Sequence, residues 1–233
     1  VAFDIPLHPE EAMAFLKSKV KETNPDLIIG TSMGGMYTEM LYGYDRILVN
    51  PAFQMGQTMK DHGMTGMQTW QNPRQDGEET FIVTKSLEKE YKEMTEHCFV
   101  ELEAMDEKQK AEEQRRVWGL FGDADPVVHT FDLYRSHYPQ AARFHGEHRM
   151  DDRSFMNGVV PAIRWIDDKQ ERRERPIIYI DRSTLRDNYD KPKSSLAKAF
   201  SKLIETYAVY IVVPAPTNEH ESLNADALWI EQC

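Results

Sequence analysis

The sequence has little sulfur chemistry to offer: of its 233 residues only Cys98 and Cys233 are cysteines, far apart and without metal-ligand spacing. Two free thiols in a reducing, cytoplasmic compartment is the expectation that follows. Positive charge is also in short supply, with 28 Lys and Arg against 39 Asp and Glu, a net charge of −11 and no basic stripe. Nucleic acid and anionic membrane surfaces are therefore excluded as expected partners. No apolar run reaches the roughly 18 residues that a membrane span requires, and the first residues lack the pattern of a signal peptide. No internal repeat is apparent. What remains is a chain long enough to bury a sizeable core, as one large domain or as one domain with a smaller companion.

Hydrophobic patterning then organises the chain. "VAFDIP" reads as a short apolar strand, and "HPEEAMAFLKSKVKE" as a helix with Ala12, Phe15, Leu16 and Val20 at helical spacing. "DLIIG" follows as a strand, 34–42 as a helix, and "RILVNPAF" as a strand stopped by Pro51. Alternation of this kind, with apolar runs too continuous for a half-exposed sheet, predicts an α/β fold with a mostly parallel sheet covered on both faces. From about 54 to 113 the alternation gives way to a Gly/Met/Gln-rich stretch and then a charged helical segment with Leu87, Tyr91, Met94 and Cys98 on one face, which reads as an insertion. The sheet pattern resumes with "RVWGLFGDADPVV", a helix around "TFDLYRSHYP", a strand at "AARFHG" and a helix over 159–168. "DDKQERRERP" is charged, poor in apolar residues and closed by Pro176, so a linker is expected over 169–176. Beyond it "PIIYID", a helix over 195–207 and "AVYIVVPAPT" form one more strand-helix-strand unit over 177–233.

The chemistry concentrates in "DLIIGTSMGG". A nucleophile elbow needs a strand, a sharp turn with Ser at its apex, and a helix, with small residues two before and two after the Ser. Gly30, Ser32 and Gly34 meet that requirement in that context. A phosphate loop would need Gly-Lys-Ser/Thr after four spacers, and a dinucleotide fingerprint would need Gly in place of Ser32; neither is present. The bland alternative is a tight strand-to-helix turn that happens to contain Ser. A lone Ser is a weak nucleophile, so the sharper reading demands a base and a group to orient it, in the chain order Ser, acid, His. "LFGDADPVV" supplies Asp123 and Asp125 after one strand, and "RFHGEHR" supplies His145 and His148 after the next.

With "IIGTSMGGMY" as elbow, "VNPAF" on the following strand, "GDADPVV" as acid loop and "HGEH" as His loop, residues 1 to about 168 resemble the small serine esterases of the α/β-hydrolase superfamily, close to the YqiA-like group. The resemblance implies an α/β-hydrolase-type sheet with a lid-like insertion and a Ser-His-Asp triad. Its Gly-x-x-Asp-x-x-Val pattern selects Asp125, and its Gly-x-x-His or similar turn after the last strand selects His148, which here stands two residues after Gly146. Acyl transfer is the implied chemistry, with Ser32 as nucleophile, His148 as base, Asp125 as its orienting acid and the Met33 backbone N–H as an oxyanion donor, and with no cofactor or metal. In this superfamily a second oxyanion donor comes from a loop after an earlier strand. The sequence starts at "VAFDIP", which resembles the strand after that one, so the expectation is either a truncated version of the family pattern or another segment in place of the missing strand and its donor.

Met55, Met59, Met64, Met67 and Trp70 crowd the start of the insertion, a composition suited to an adaptable apolar wall. Met55, Met59 and Trp70 are the candidates for a substrate pocket, with plain packing of the insertion as the alternative. His62 and His97 lack ligand spacing and read as surface residues. The segment over 177–233 resembles the opening of haloacid-dehalogenase-like phosphatases, which implies Asp181 as a phosphoryl nucleophile and Thr217 as a phosphate-binding hydroxyl. Ser183 stands where the general-acid Asp would be, so a degenerate accessory unit is expected in place of a working phosphatase. Three functions follow in order: an esterase acting on small or medium acyl esters, a catalytically silent scaffold used for binding, and a phosphatase built on Asp181. The acyl length, the choice between ester and thioester, and the oligomeric state are not written in the sequence.

Overall fold

The computed structural model describes residues 2–70, 72–174, 177–179, 198–199, 202 and 210–212. Two compact units divide the chain, Val1–Ile163 and Arg164–Cys233. In the first, α1 (Pro9–Thr23) opens with Pro at a position that needs no N–H and with Glu10 and Glu11 in its first turn. It stops at Asn24, which turns left-handed at φ 41° and donates its N–H to the Val20 carbonyl at 2.8 Å. Then follow β1 (Leu27–Thr31), α2 (Met33–Glu39) and β2 (Asp45–Val49). The inserted region holds α3 (Met55–Asp61), the hairpin β3 (Gly66–Thr69) and β4 (Thr80–Val83), α4 (Lys85–Thr95), α5 (Val100–Ala104) and α6 (Glu107–Gln114). After it come β5 (Val117–Gly122), α7 (Phe131–His137), β6 (Ala141–Phe144), the single turn α8 (Asp152–Ser154) and a π-helical turn over Phe155–Val159; the boundary between the two units falls within α9 (Val160–Glu174).

Four strands form one parallel sheet in the order β1-β2-β5-β6, flanked by helices, as the alternating pattern requires. Thr31 pairs with Val49 and Val49 with Leu120, while β5 and β6 run two residues further and end together at Gly122 and Phe144, so all four carboxyl ends lie along one edge of the sheet. That edge is where a parallel α/β sheet presents its functional loops. The core joins sheet and insertion: Met36, Leu48 and Tyr134 belong to the same buried cluster as Met59, Leu87 and Leu102. Of the inserted helical face, Leu87, Tyr91 and Met94 are buried on α4, with Cys98 just beyond it, its thiol pushed up by burial.

A buried polar knot fastens the insertion to the sheet. Arg46 of β2 has no exposed surface; its guanidinium donates to the Thr38 and Glu39 carbonyls and to the Glu113 carboxylate at the end of α6. Glu113 also accepts the Gly43 N–H at 3.0 Å. Glu39, equally buried, accepts from the Tyr42 and Tyr138 hydroxyls at 2.9 and 2.7 Å and from the Phe99 N–H at 3.1 Å. Burial pushes its carboxyl above the ordinary range, and those hydrogen bonds oppose the rise.

Two local expectations fail. Residues 2–6 form no strand. Their groups are bonded to the loop between β3 and β4, where the Arg74 guanidinium donates to the Ile5 carbonyl and the Gln75 N–H donates to Asp4, while Ile5 packs on the core. An extended apolar hexapeptide was legible; its partner was not. The charged run expected as a linker over 169–176 is helical to Glu174, because α9 runs through it without a break. The Lys, Gln, Glu and Arg residues that fill 169–174 are all good helix formers. In the second unit β7 (Ile177–Tyr179) pairs in parallel with β8 (Tyr210–Val212). Asp181, Ser183 and Thr217, the residues of the phosphatase resemblance, lie outside the described residues.

Candidate active site

At the end of β1 the chain turns sharply at Ser32, which sits at φ 53° and ψ −118° and leads into α2. A non-glycine residue in that conformation stores strain, and its backbone is fixed from both sides. The Ser32 N–H donates to the Val49 carbonyl at 2.9 Å, and its own carbonyl accepts from the Ala52 N–H at 3.0 Å and the Met36 N–H at 3.1 Å. Gly30 is required by close approach, since a Cβ there would lie 2.3 Å from the Gly34 carbonyl oxygen. Gly34 is different: a Cβ at that position meets nothing within 4 Å. The second tight glycine is Gly35, whose Cβ would come to 3.0 Å from Pro51. Met33 opens α2, so its N–H has no partner within the helix.

Asp125 and His148 meet this serine. The Asp125 side chain is 2% exposed, and its Oδ1 accepts the Val127 and Val128 N–H groups at 2.7 and 3.0 Å. Its Oδ2 lies 2.8 Å from His148 Nδ1, and His148 Nε2 lies 3.0 Å from Ser32 Oγ. The Asp125 carboxylate can only accept at Nδ1, so Nδ1 carries the ring proton and Nε2 is left to accept from the serine hydroxyl. The other two candidates form a separate pair at the surface: His145 Nδ1 is 3.1 Å from Asp123 Oδ2, with the His145 side chain 93% exposed. That bond, and one from the Gly146 N–H, hold the Asp123 carboxyl below its ordinary range.

The acid and His loops are zipped together by Asp123 N–H to the Phe144 carbonyl and Ala124 N–H to the Gly146 carbonyl, both at 3.0 Å. Gly122 permits the approach, for a Cβ there would stand 2.6 Å from the Gly146 carbonyl oxygen. Sequence reasoning passed over the residue at the centre of this edge, Asn50. It follows β2 with φ 44°, and its side chain bonds the strand end bearing the acid and the loop bearing the His. The available signal was an Asn directly after a buried strand, since Asn is among the few residues that tolerate a left-handed backbone.

Of the substrate-pocket candidates, two are core residues and one is half-buried. Met55 and Met59 are buried in the core at one-turn spacing on the inner face of α3. The reason is close packing of α3 on α4, where a Cβ at Gly56 would lie 2.7 Å from Lys92 Cα. Trp70 is half-buried against Phe81 in the β3–β4 hairpin, with the Arg74 guanidinium 4.6 Å from its ring. The opposite, polar face of α3 does border a cleft: Gln54, Gln57, Thr58 and Asp61 face His129 and Thr130 of the loop after Asp125, with Ala52 between.

A parallel sheet that sets a Ser, an acid and a His in the loops after its first, third and fourth strands, in that chain order, has the architecture of an α/β-hydrolase-type protein. Residues 2–146 match the model of the uncharacterised protein family UPF0227, and the chain belongs to that family. The match takes in the elbow and the acid loop and ends two residues before His148; it leaves the second unit, and with it the phosphatase resemblance, without support. Membership is consistent with a hydrolase-like role. No curated protein matches the chain. Among the described residues no helix is long and apolar enough to cross a membrane.

Proposed function

We propose that the chain is a serine hydrolase that cleaves small or medium acyl esters through Ser32, His148 and Asp125. The observation that carries this reading is the unbroken relay of 2.8 and 3.0 Å from Asp125 through His148 to Ser32 Oγ. His148 Nε2 takes the hydroxyl proton as Oγ attacks the ester carbonyl. The tetrahedral oxyanion gathers charge, the acyl carbon–oxygen bond to the alcohol breaks, and His148 returns the proton to the departing alcohol. Water then attacks the acyl-serine and gives its proton to His148, and Ser32 leaves with that proton as the free hydroxyl. Met33 N–H is the proposed oxyanion donor, a contribution worth about 10²-fold or more in turnover. Asp125, tied by two backbone N–H groups, keeps the imidazole in one orientation throughout.

The proposed substrate is a small-molecule acyl ester in a cytoplasmic setting, with neither nucleic acid nor membrane as partner; the net charge of −11 and the buried free Cys98 support that choice. The test is intact-mass measurement after incubation with a fluorophosphonate, beside Ser32→Ala. One adduct on the native chain, absent from the variant, is the expected result. No adduct on a folded native chain would remove the catalytic reading and leave a scaffold.

A further inference from the structure

The geometry points to Asn50 as a positioning residue that sets His148 over Ser32, an inference that rests on the serine-hydrolase reading for its kinetic consequence. Asn50 is 2% exposed and uses its amide on both neighbouring loops. Its Oδ1 accepts the Gly122 N–H at 2.7 Å, at the end of the strand that leads to Asp125. Its Nδ2 donates to the carbonyls of Glu147 and of His148 itself, each at 3.2 Å. One N–H donor on one side and two carbonyl acceptors on the other fix the amide orientation, so an oxygen in place of Nδ2 would face two oxygens.

The backbone around Asn50 completes the arrangement. Its N–H donates to the Leu120 carbonyl at 2.9 Å, the preceding Val49 carbonyl accepts the Ser32 N–H, and the following Pro51 carbonyl accepts the Thr130 hydroxyl at 2.7 Å. Four consecutive residues, Val49 to Ala52, thus touch the elbow, the acid loop and the His loop. The conformation is itself costly: a residue before proline favours an extended backbone, whereas Asn50 is held at φ 44°. Strain of this kind persists only where surrounding bonds over-determine it. Those bonds are the ones that set the height of the His148 main chain, and so the 3.0 Å reach of Nε2 to Ser32 Oγ.

Asn50→Gly accepts the left-handed backbone without strain and removes only the amide; Asn50→Asp keeps the Gly122 bond and repels the two carbonyls. For both, the rate constant of fluorophosphonate labelling is expected to fall about 10²-fold, the consequence of a misplaced base, while the fraction of sites finally labelled stays near that of the native chain. A merely structural role would lower the labelled fraction and leave the rate constant of the remaining sites unchanged, and that result would overturn the inference. A second readout does not depend on reactivity: the downfield Nδ1–H proton signal of His148, assigned by its loss in His148→Gln, is expected in the native chain and in Ser32→Ala and weakened or lost in Asn50→Gly. If the native chain fails to label yet this signal disappears in Asn50→Gly, the hydrolase reading falls and the positioning role stands. An unchanged signal together with an unchanged labelling rate constant in Asn50→Gly would refute it.

Discussion

The two glycines that flank the elbow serine should respond to alanine in opposite directions. At Gly30 the new Cβ would lie 2.3 Å from the Gly34 carbonyl oxygen and 2.3 Å from Thr38 Oγ1, where ordinary contact begins at 3.4 Å. The threonine hydroxyl can rotate away. The Gly34 carbonyl cannot, because it belongs to the backbone of α2, so helix and strand must part by about 1 Å. Overpacking of that size costs about 3 kcal/mol or more. At Gly34 a Cβ meets nothing within 4 Å, and in the first turn of a helix Gly→Ala stabilises by about 0.5 kcal/mol. The two substitutions should therefore differ by about 3.5 kcal/mol, a factor of about 300 in the folded-to-unfolded ratio. Gly35→Ala, at 3.0 Å from Pro51, falls between them. Urea unfolding followed by the fluorescence of Trp70 and Trp118 gives all three midpoints. Gly30→Ala within about 1 kcal/mol of Gly34→Ala would show that close approach of backbone is not what selects glycine at this turn.

Three more expectations follow from the packing and charge of the fold. Removing the partner of Arg46 by Glu113→Ala leaves a buried guanidinium and the Gly43 N–H uncompensated, at a cost of about 3 kcal/mol; the apolar pair Arg46→Met, Glu113→Leu should recover most of the lost thermal stability, and failure to do so would show that the knot is more than an ion pair. Met59→Ala should lower stability by about 2–5 kcal/mol, whereas Gln57→Ala should leave stability nearly unchanged and raise KM for ester hydrolysis; the reverse pattern would put the inner face of α3 at the substrate. The bond to Glu90 raises the His8 imidazole above its ordinary value, so the folded state holds that proton more tightly than the unfolded one. The stabilisation is full below about pH 6.5 and fades as pH rises through the raised value. With His8 half exposed it amounts to less than about 1 kcal/mol, and Glu90→Gln should lower stability at pH 5.5 but barely at pH 8.5.

Much of the sheet edge was legible because its signals are local. Gly30 before a serine, a strand ahead and a helix behind define a turn within ten residues, whereas the choice of Asp125 and His148 over Asp123 and His145 came from the loop patterns of the family that the chain resembles. The two Asp-His pairs in the structure show how narrow that choice was, since the rejected pair also forms and differs chiefly in being exposed. What failed was non-local. Met55 and Met59 carry the composition of a pocket wall, but their burial, on a helix whose Gly56 lies close against Lys92 of α4, is a tertiary fact that their local sequence does not display. Residues 2–6 have the pattern of a strand but bond to the loop at Arg74 and Gln75. Asn50 acts through partners at 122, 147 and 148, a set of contacts that no window of neighbouring residues displays.

The distance along the chain between Ser32 and its base has a consequence for the life of the protein before it is finished. Ser32 and His148 are 116 residues apart, and the strands that level them pair only after the inserted region has closed between Arg46 and Val117. Closing long loops is entropically opposed, and non-local parallel pairing is slow to form. Under the proposed reading, a chain still lacking β6, whether nascent, nicked or unfolded at that edge, would carry a serine without its base. Labelling of Ser32 would then report the docking of β6 and the loop that follows it, a folding event far from the serine in sequence.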